Sequence, residues 1–209
     1  PGAKVRAWPS PDASKPPKPH RACELLDAME RRWPFDAHTV AYEADAGEHG
    51  AMRLRSAAVA EGVHPRMVLG IVDCDSGEAH KAGGVATEAW REVERAKVAQ
   101  LRAECPGVVC YETRGGYRLV ARLAVPHTIA SAADAIAWKQ SYLRRLAWLA
   151  RRFAIVGDPS CLDWTRVFRL PRVVREKHGP QDWPVLGAWR ELGAWPEQLA
   201  EQLAEDLAE

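Results

Sequence analysis

The chain has 209 residues, 47% of them hydrophobic and 27% charged, and a formal net charge of +1. That length suits one substantial domain or a domain with appendages, and the composition is that of an ordinary globular protein. The near-zero net charge excludes a global basic field, so any surface for a polyanion must be local.

Residues 1–20 are rich in Pro, Lys and Ser and poor in apolar residues, which predicts a flexible arm. The opening Pro1-Gly2 in place of Met is expected of an excised piece. Residues 21–33 predict a first helix, with Leu25, Leu26 and Met29 on one side and Pro34 as its stop. A short strand is expected over 38–43 and a helix over 48–60, ended by Gly62. The aliphatic run 66–72 predicts a buried strand leading into Asp73-Cys74-Asp75 and a Ser-Gly turn. Gly83-Gly84 breaks the chain, and Thr87 caps a helix to about residue 104 with Trp90, Val93, Val98 and Leu101 as its apolar stripe. The β-rich runs 108–113 and 117–123 flank Arg114-Gly115-Gly116, a hairpin signal. Ser131 and Asp134 form a capping box for the longest helix, which runs to about residue 153. Its apolar positions are Ile136, Leu143, Leu146, Leu149 and Phe153, with Arg144, Arg145, Arg151 and Arg152 on outer faces. Residues 154–174 read as loop and short strand. The tail 191–209 is acidic, with Pro196 at a first helical position and Leu199, Leu203 and Leu207 four apart, which predicts a docking helix or a linker. Helices mixed with hairpin strands, without regular βαβ alternation, indicate an α+β fold.

Three stretches carry candidate chemistry. In the first, strand alternation sends Asp73 and Asp75 to one side and Cys74 into the protein. Adjacent carboxylates at the end of a buried strand repel each other and are costly to desolvate unless a cation lies between them. Oxygen donors of this kind suit Mg²⁺ or Mn²⁺; the alternative is a strand ending in a solvated turn. Beyond the pair, His80 and Lys81 either face a triphosphate or lie in a solvated loop.

The second stretch is Thr113-Arg114-Gly115-Gly116-Tyr117-Arg118. Its glycines let backbone N–H groups approach an anion, and Arg118 adds a cation; the alternative is a tight hairpin needing positive φ. The third places Asp158 ahead of Arg166, Arg169, Leu170 and Pro171. Asp158 is a candidate third metal ligand and the two arginines candidate phosphate holders, against a surface loop with Asp163 paired to Arg166. Tyr117 is a candidate for stacking on a base or for packing. Arg144 and Arg145, with Arg151 and Arg152, either track a template strand or face solvent.

In order and composition these stretches resemble the archaeo-eukaryotic primase superfamily, most of all the primase-polymerase domains of plasmid, phage and mobile-element replication proteins. The likeness covers about residues 35–180. In that family an aliphatic strand ends in Asp-x-Asp or Asp-x-Glu, as at Asp73 and Asp75. A Ser/Thr-x-Gly-Gly-x-His motif follows, here Thr113 to Arg118, and a third carboxylate precedes Arg-x-x-Arg-Leu-Pro-Gly, here Asp158 and Arg166 to Pro171. Two positions depart: Arg118 replaces the histidine that contacts nucleotide phosphates, and Arg172 replaces the glycine.

The resemblance implies an RRM-like catalytic core with a smaller N-terminal α/β unit, together spanning 21–190. It implies a DNA primase or polymerase that joins nucleoside triphosphates on a single-stranded DNA template or primer. Asp73, Asp75 and Asp158 would hold two divalent metals, and Thr113, Gly115, Gly116, Arg118, Arg166 and Arg169 the nucleotide. A fused or separate helicase is the partner expected by analogy.

The competing reading is a binding module of the same fold without turnover. Other classes are excluded more directly. The five cysteines include no C-x-x-C pair, which argues against zinc and a disulfide framework. No two histidines stand two apart, as a His-hydrophobic-His nuclease requires, and no P-loop motif occurs. No apolar run approaches the roughly 18 residues of a membrane span and no signal pattern opens the chain, so a cytoplasmic protein without a membrane partner is expected. Asp73→Ala is expected to remove activity and leave the fold intact.

Overall fold

The computed structural model describes residues 4–5, 23–24, 29–44, 54, 57–77, 84–187 and 192–196. In chain order the strands are Lys4–Val5 (β1), Cys23–Glu24 (β2), His38–Val40 (β3) and Tyr42–Glu43 (β4). The short helix Ala57–Ala60 (α1) precedes the long strand Arg66–Asp75 (β5) and the helix Glu88–Glu104 (α2). Val109–Glu112 (β6), Gly116–Thr128 (β7) and the helix Ala132–Phe153 (α3) follow. A 3₁₀ turn at Pro159–Leu162 leads to Val167–Arg169 (β8), Arg172–Arg175 (β9), Gly179–Asp182 (β10) and Val185–Leu186 (β11).

The main sheet has the order β11-β6-β7-β5-β4, and all its described pairings are antiparallel. Its centre is β5 against β7, which runs from Arg66 opposite Thr128 to Asp75 opposite Gly116. The succession strand, helix, strand pair, helix, with both long helices on one face, is the α+β arrangement expected. Side-chain alternation decides what each face carries. Val72, Cys74, Leu119 and Tyr117 turn toward the helices and are buried. Ile71, Asp73, Tyr111 and Arg118 belong to the other face, against which the small β3–β8 sheet lies.

The caps read from the sequence are in place: Thr87 accepts from the Trp90 N–H and Ser131 from the Asp134 N–H. The buried stripes differ from those expected. In α2, Val93 is 57% exposed, and the buried side is Arg91, Glu94, Val98 and Leu101. In α3, Ile136 is 55% exposed and Leu143 is exposed, while Trp138, Tyr142, Arg145, Leu149 and Phe153 are buried. Val98, Leu101, Leu149 and Phe153 are buried as expected, and the faces differ in their remaining positions; in α2 polar residues point inward where the sheet supplies partners. Arg91 reaches Glu112 at 2.9 Å, and the Tyr117 hydroxyl donates to Glu94 at 2.7 Å.

Three expected elements change. Cys23–Glu24 is a strand paired with Lys4–Val5, where an arm and a helix were expected; only 29–30 is helical in the described part of 21–33. The strand expected over 38–43 divides at Ala41, whose carbonyl accepts from the N–H groups of Val68 and Leu69 at the irregularity in β5. The stretch 172–186, which carried no expectation beyond residue 174, forms the β9–β10 hairpin and the edge strand β11. Most of the helix expected over 48–60, His80, Lys81 and the tail from 197 lie outside the described residues. No described helix is long and apolar enough to cross a membrane.

The hairpin glycines serve close approach and not a left-handed backbone, since neither Gly115 nor Gly116 has positive φ. A Cβ on Gly116 would stand 1.8 Å from the Cys74 carbonyl oxygen, whereas one on Gly115 would meet only the end of Asp75 at 3.0 Å. Gly116→Ala must push the hairpin off β5 and is expected to destabilise the fold by about 3 kcal/mol. Gly115→Ala should change stability by under about 1 kcal/mol. Chemical denaturation of the two variants checks the contrast, and equal losses would refute the close-approach account.

Candidate active site

The site begins with the antiparallel register of β5 and β7, which sets Asp73 directly opposite Arg118. Asp73 is 5% exposed. Its Oδ2 accepts from Arg118 Nη2 at 3.0 Å, and its Oδ1 is buried with no hydrogen-bond partner. Arg118 donates from Nη1 to the Arg169 carbonyl at 2.9 Å and lies 5.7 Å from the Phe168 ring centre and 5.9 Å from that of Tyr111. The same Arg169 carbonyl takes the Tyr111 hydroxyl at 2.8 Å. This ties the main sheet to β8.

Asp158 reaches this place through the backbone. Its N–H donates to the Asp73 carbonyl at 2.7 Å, and Gly157 allows the approach, since a Cβ there would fall 2.7 Å from Val72 and 2.6 Å from Leu146. Its carboxylate caps the 3₁₀ turn, taking the Ser160 N–H at 2.8 Å and the Ser160 hydroxyl at 2.6 Å. Partial burial would raise its pKa, but those hydrogen bonds outweigh it and hold the group below the usual carboxylate value. The Cys161 thiol lies between the acids, 3.5 Å from Asp158 Oδ2 and 4.0 Å from Asp73 Oδ2. Burial first and the Asp73 charge next push its pKa up to about 12, so it is a neutral thiol.

Beside the end of β5 opens a cleft of about 300 Å³. One wall is the 113–115 turn with Asp75; the other carries Arg169, Arg175, Gln181 and Trp183, with Arg118 and Arg114 also lining it. Four guanidinium groups thus share one small space. Burial, and then the charge of Arg169, push the Arg175 pKa below its ordinary value. Arg169 is steadied by a two-point ion pair with Asp36. The positive field that the net charge hides is concentrated here.

Whether the acids suit a divalent cation is answered by their donors. Asp73, Asp75 and Asp158 offer only oxygen, the donor of Mg²⁺ and Mn²⁺ sites, and the orphaned Asp73 Oδ1 is the kind of buried oxygen a cation satisfies. They fit in chemistry. Among the described residues no three acidic, His or Cys side chains stand close enough together to enclose an ion, so the acids do not form a closed cage in this arrangement.

Of the residues expected at the site, Asp75, Thr113, Gly115, Arg118 and Arg169 line the cleft, and Asp73 and Asp158 stand beside it. Arg166 is exposed, with its positive charge acting on Asp158. Asp163, which the alternative surface-loop reading pairs with Arg166, accepts from the Thr165 N–H and hydroxyl, and its carbonyl takes the Arg166 N–H at 3.0 Å. Gly116 does not offer its N–H to a ligand, because that group donates to the Thr113 hydroxyl at 3.0 Å. Tyr117 is corrected from a stacking residue to a core residue, buried and bonded to Glu94. Arg145 is corrected as well: it is buried under α3, 5.5 Å from the Trp195 ring, and burial lowers its pKa to about 10. Arg144 and Arg151 remain exposed, and Arg152 pairs with Glu104.

Sequence reasoning missed Arg91, Arg114, Arg175, Gln181 and Trp183. Arg91 is the clamp of the turn: Nη1 holds Glu112 and the Gly116 carbonyl, and Nη2 holds the carbonyls of Thr113 and Arg114 at 2.7 and 3.0 Å. It also lies 5.0 Å from the Trp183 ring. No local signal marks such a residue, because its partners are 21 to 25 positions away.

No protein-family model and no curated protein matches the chain. Two solved structures are similar along nearly all of it. One is the AEP domain of the cyanophage S-2L primase-polymerase, at 15% identity over 95% of this chain and 86% of that one, with a TM-score of 0.46. The other is the polymerase domain of Mycobacterium tuberculosis ligase D in complex with DNA, at 14% identity over 98% of this chain and 82% of that one, with a TM-score of 0.38.

Two tests follow from these contacts. Arg91→Ala leaves Glu112 buried with half its partners and four hydrogen bonds broken, so a loss of about 3–5 kcal/mol is expected in denaturant unfolding. His38, in β3, has its pKa lowered to about 4, by burial first and with Arg169 and Arg118 contributing. Its folded pKa lies below the unfolded value of 6.5. The contribution is therefore fully present above pH 6.5 and is lost progressively as the pH falls to about 4, by up to about 3 kcal/mol. His38→Gln should flatten that part of the stability–pH curve, and an unchanged slope would show that another group carries it.

Proposed function

We propose that the chain is a nucleotidyltransferase of the primase-polymerase kind, which joins nucleoside triphosphates on a single-stranded DNA template. The observation that carries this reading is the cleft itself. A carboxylate at the end of a central strand shares a space of about 300 Å³ with four arginines, the pairing of negative and positive groups that a metal–triphosphate complex requires. Asp73, Asp75 and Asp158 would hold Mg²⁺ or Mn²⁺. Such ions, when bound, neutralise the triphosphate and favour ionisation of the attacking 3′-hydroxyl.

The chain's own residues then divide the work. Arg114, Arg169 and Arg175 hold the phosphates, by forked N–H donors that match phosphate oxygens. The Asp36 pair keeps Arg169 in place. Trp183, an aromatic wall of the same cleft, limits where the base and sugar lie. Exposed Arg144 and Arg151 on α3 follow the template backbone through charge alone, which makes that contact salt-dependent.

A second reading, a nucleotide- or DNA-binding module without turnover, is favoured by one observation: Asp73 already bonds to Arg118 and Asp158 to Ser160. Asp75→Asn separates the two. Of the three candidate metal ligands Asp75 is the one that lines the cleft, and unlike Asp73 it can be changed without stranding Arg118. The expectation set for Asp73→Ala is corrected on that ground, since removing Asp73 leaves a buried arginine without its counter-charge. Labelled-nucleotide incorporation on single-stranded and primed DNA, with Mg²⁺ or Mn²⁺, should give product that falls about a hundredfold or more in Asp75→Asn. Absence of product from the unaltered chain, with metal-dependent nucleotide binding retained, would replace the enzyme by the binding module.

A further inference from the structure

Arg118 is held from several directions at once. Strand register sets it opposite Asp73, the Arg169 carbonyl fixes Nη1, and the rings of Phe168 and Tyr111 flank the guanidinium. Its side chain is 13% exposed, so the charge is largely shielded from water. One Asp73 oxygen is thereby occupied by a permanent cation while the other has no partner. A divalent ion arriving at that second oxygen meets a fixed positive charge on the same carboxylate, in a setting where charges are weakly screened.

We propose that Arg118 is a built-in counter-charge that competes with a divalent metal for Asp73, so that the metal site is held weak until this contact is broken. This rests on the assignment of Asp73 as a metal ligand made above. It also accounts for the failure of the three acids to close on one another, because Asp73 is drawn across the strands toward β7. A neutral side chain at this position frees Asp73 Oδ2 and removes the repulsion.

The test is direct binding of Mn²⁺ without nucleotide, read from the electron paramagnetic resonance signal of the free ion at about pH 8. The unaltered chain, Arg118→Met and Arg118→Gln are compared, with thermal unfolding as the check of folding. Gln retains a donor for the Arg169 carbonyl and keeps the test alive should Met fail to fold. Binding at least about tenfold tighter in either folded variant is expected, and that gain should vanish when Asp73→Asn is added to it. Equal or weaker binding in the variants overturns the competition alone and leaves the metal site standing. No Mn²⁺ binding by any of the proteins at millimolar concentration overturns both this inference and the metal assignment beneath it.

Discussion

One cross-strand ion pair, Asp73 with Arg118, is the constraint around which the site is arranged. Each partner is almost wholly inside the protein, so each charge needs a counter-charge, from the other or from a bound ion. The pair exists because β5 and β7 run antiparallel in one fixed register; a slip by one residue would send Asp73 into the helix layer and Cys74 to the cleft. From Arg118 the chain of contacts continues to the Arg169 carbonyl and thus to β8, and the Arg169 side chain continues it to Asp36. A single charge pair therefore links the main sheet, the small β3–β8 sheet and one wall of the cleft.

The turn at 113–115 is the second fixed point, and it is held from beneath. Arg91 on α2 gathers three carbonyls of the turn and the Glu112 carboxylate, while Arg95 takes the other Glu112 oxygen at 2.7 Å. Buried hydrogen bonds to charged groups are worth more than neutral ones, so the turn is stiff without glycine strain. A stiff turn allows Asp75 and Arg114 to be offered to a ligand at little cost in ordering entropy. The opposite wall, β9 to Trp183, comes from a hairpin far along the chain, and the cleft exists only where the two meet.

The site also shows how a modest net charge coexists with a strongly basic patch. Arg114, Arg118, Arg169 and Arg175 share the cleft, while acidic side chains such as Glu88, Glu104 and Asp182 lie on exposed surfaces and pair with arginines elsewhere. Averaging over the chain erases that separation, so the charge count alone carries no information about partners.

What the sequence determined by itself was local. The aliphatic run into Asp73-Cys74-Asp75 specified a buried strand with both acids on one side; Thr87 and Ser131 specified the helix starts; and Arg114-Gly115-Gly116 specified the hairpin. Each rests on neighbours within a few residues, where spacing and side-chain chemistry suffice. The tertiary structure decided the rest. It turned Tyr117 and Arg145 into the interior, set Arg91 and Glu94 of α2 against Glu112 and Tyr117, set Arg118 on Asp73, and brought Arg175, Gln181 and Trp183 to the cleft. Those outcomes depend on partners 20 to more than 100 positions away, and the free energy of a buried charge is set by whichever group the fold places beside it, which local spacing does not encode.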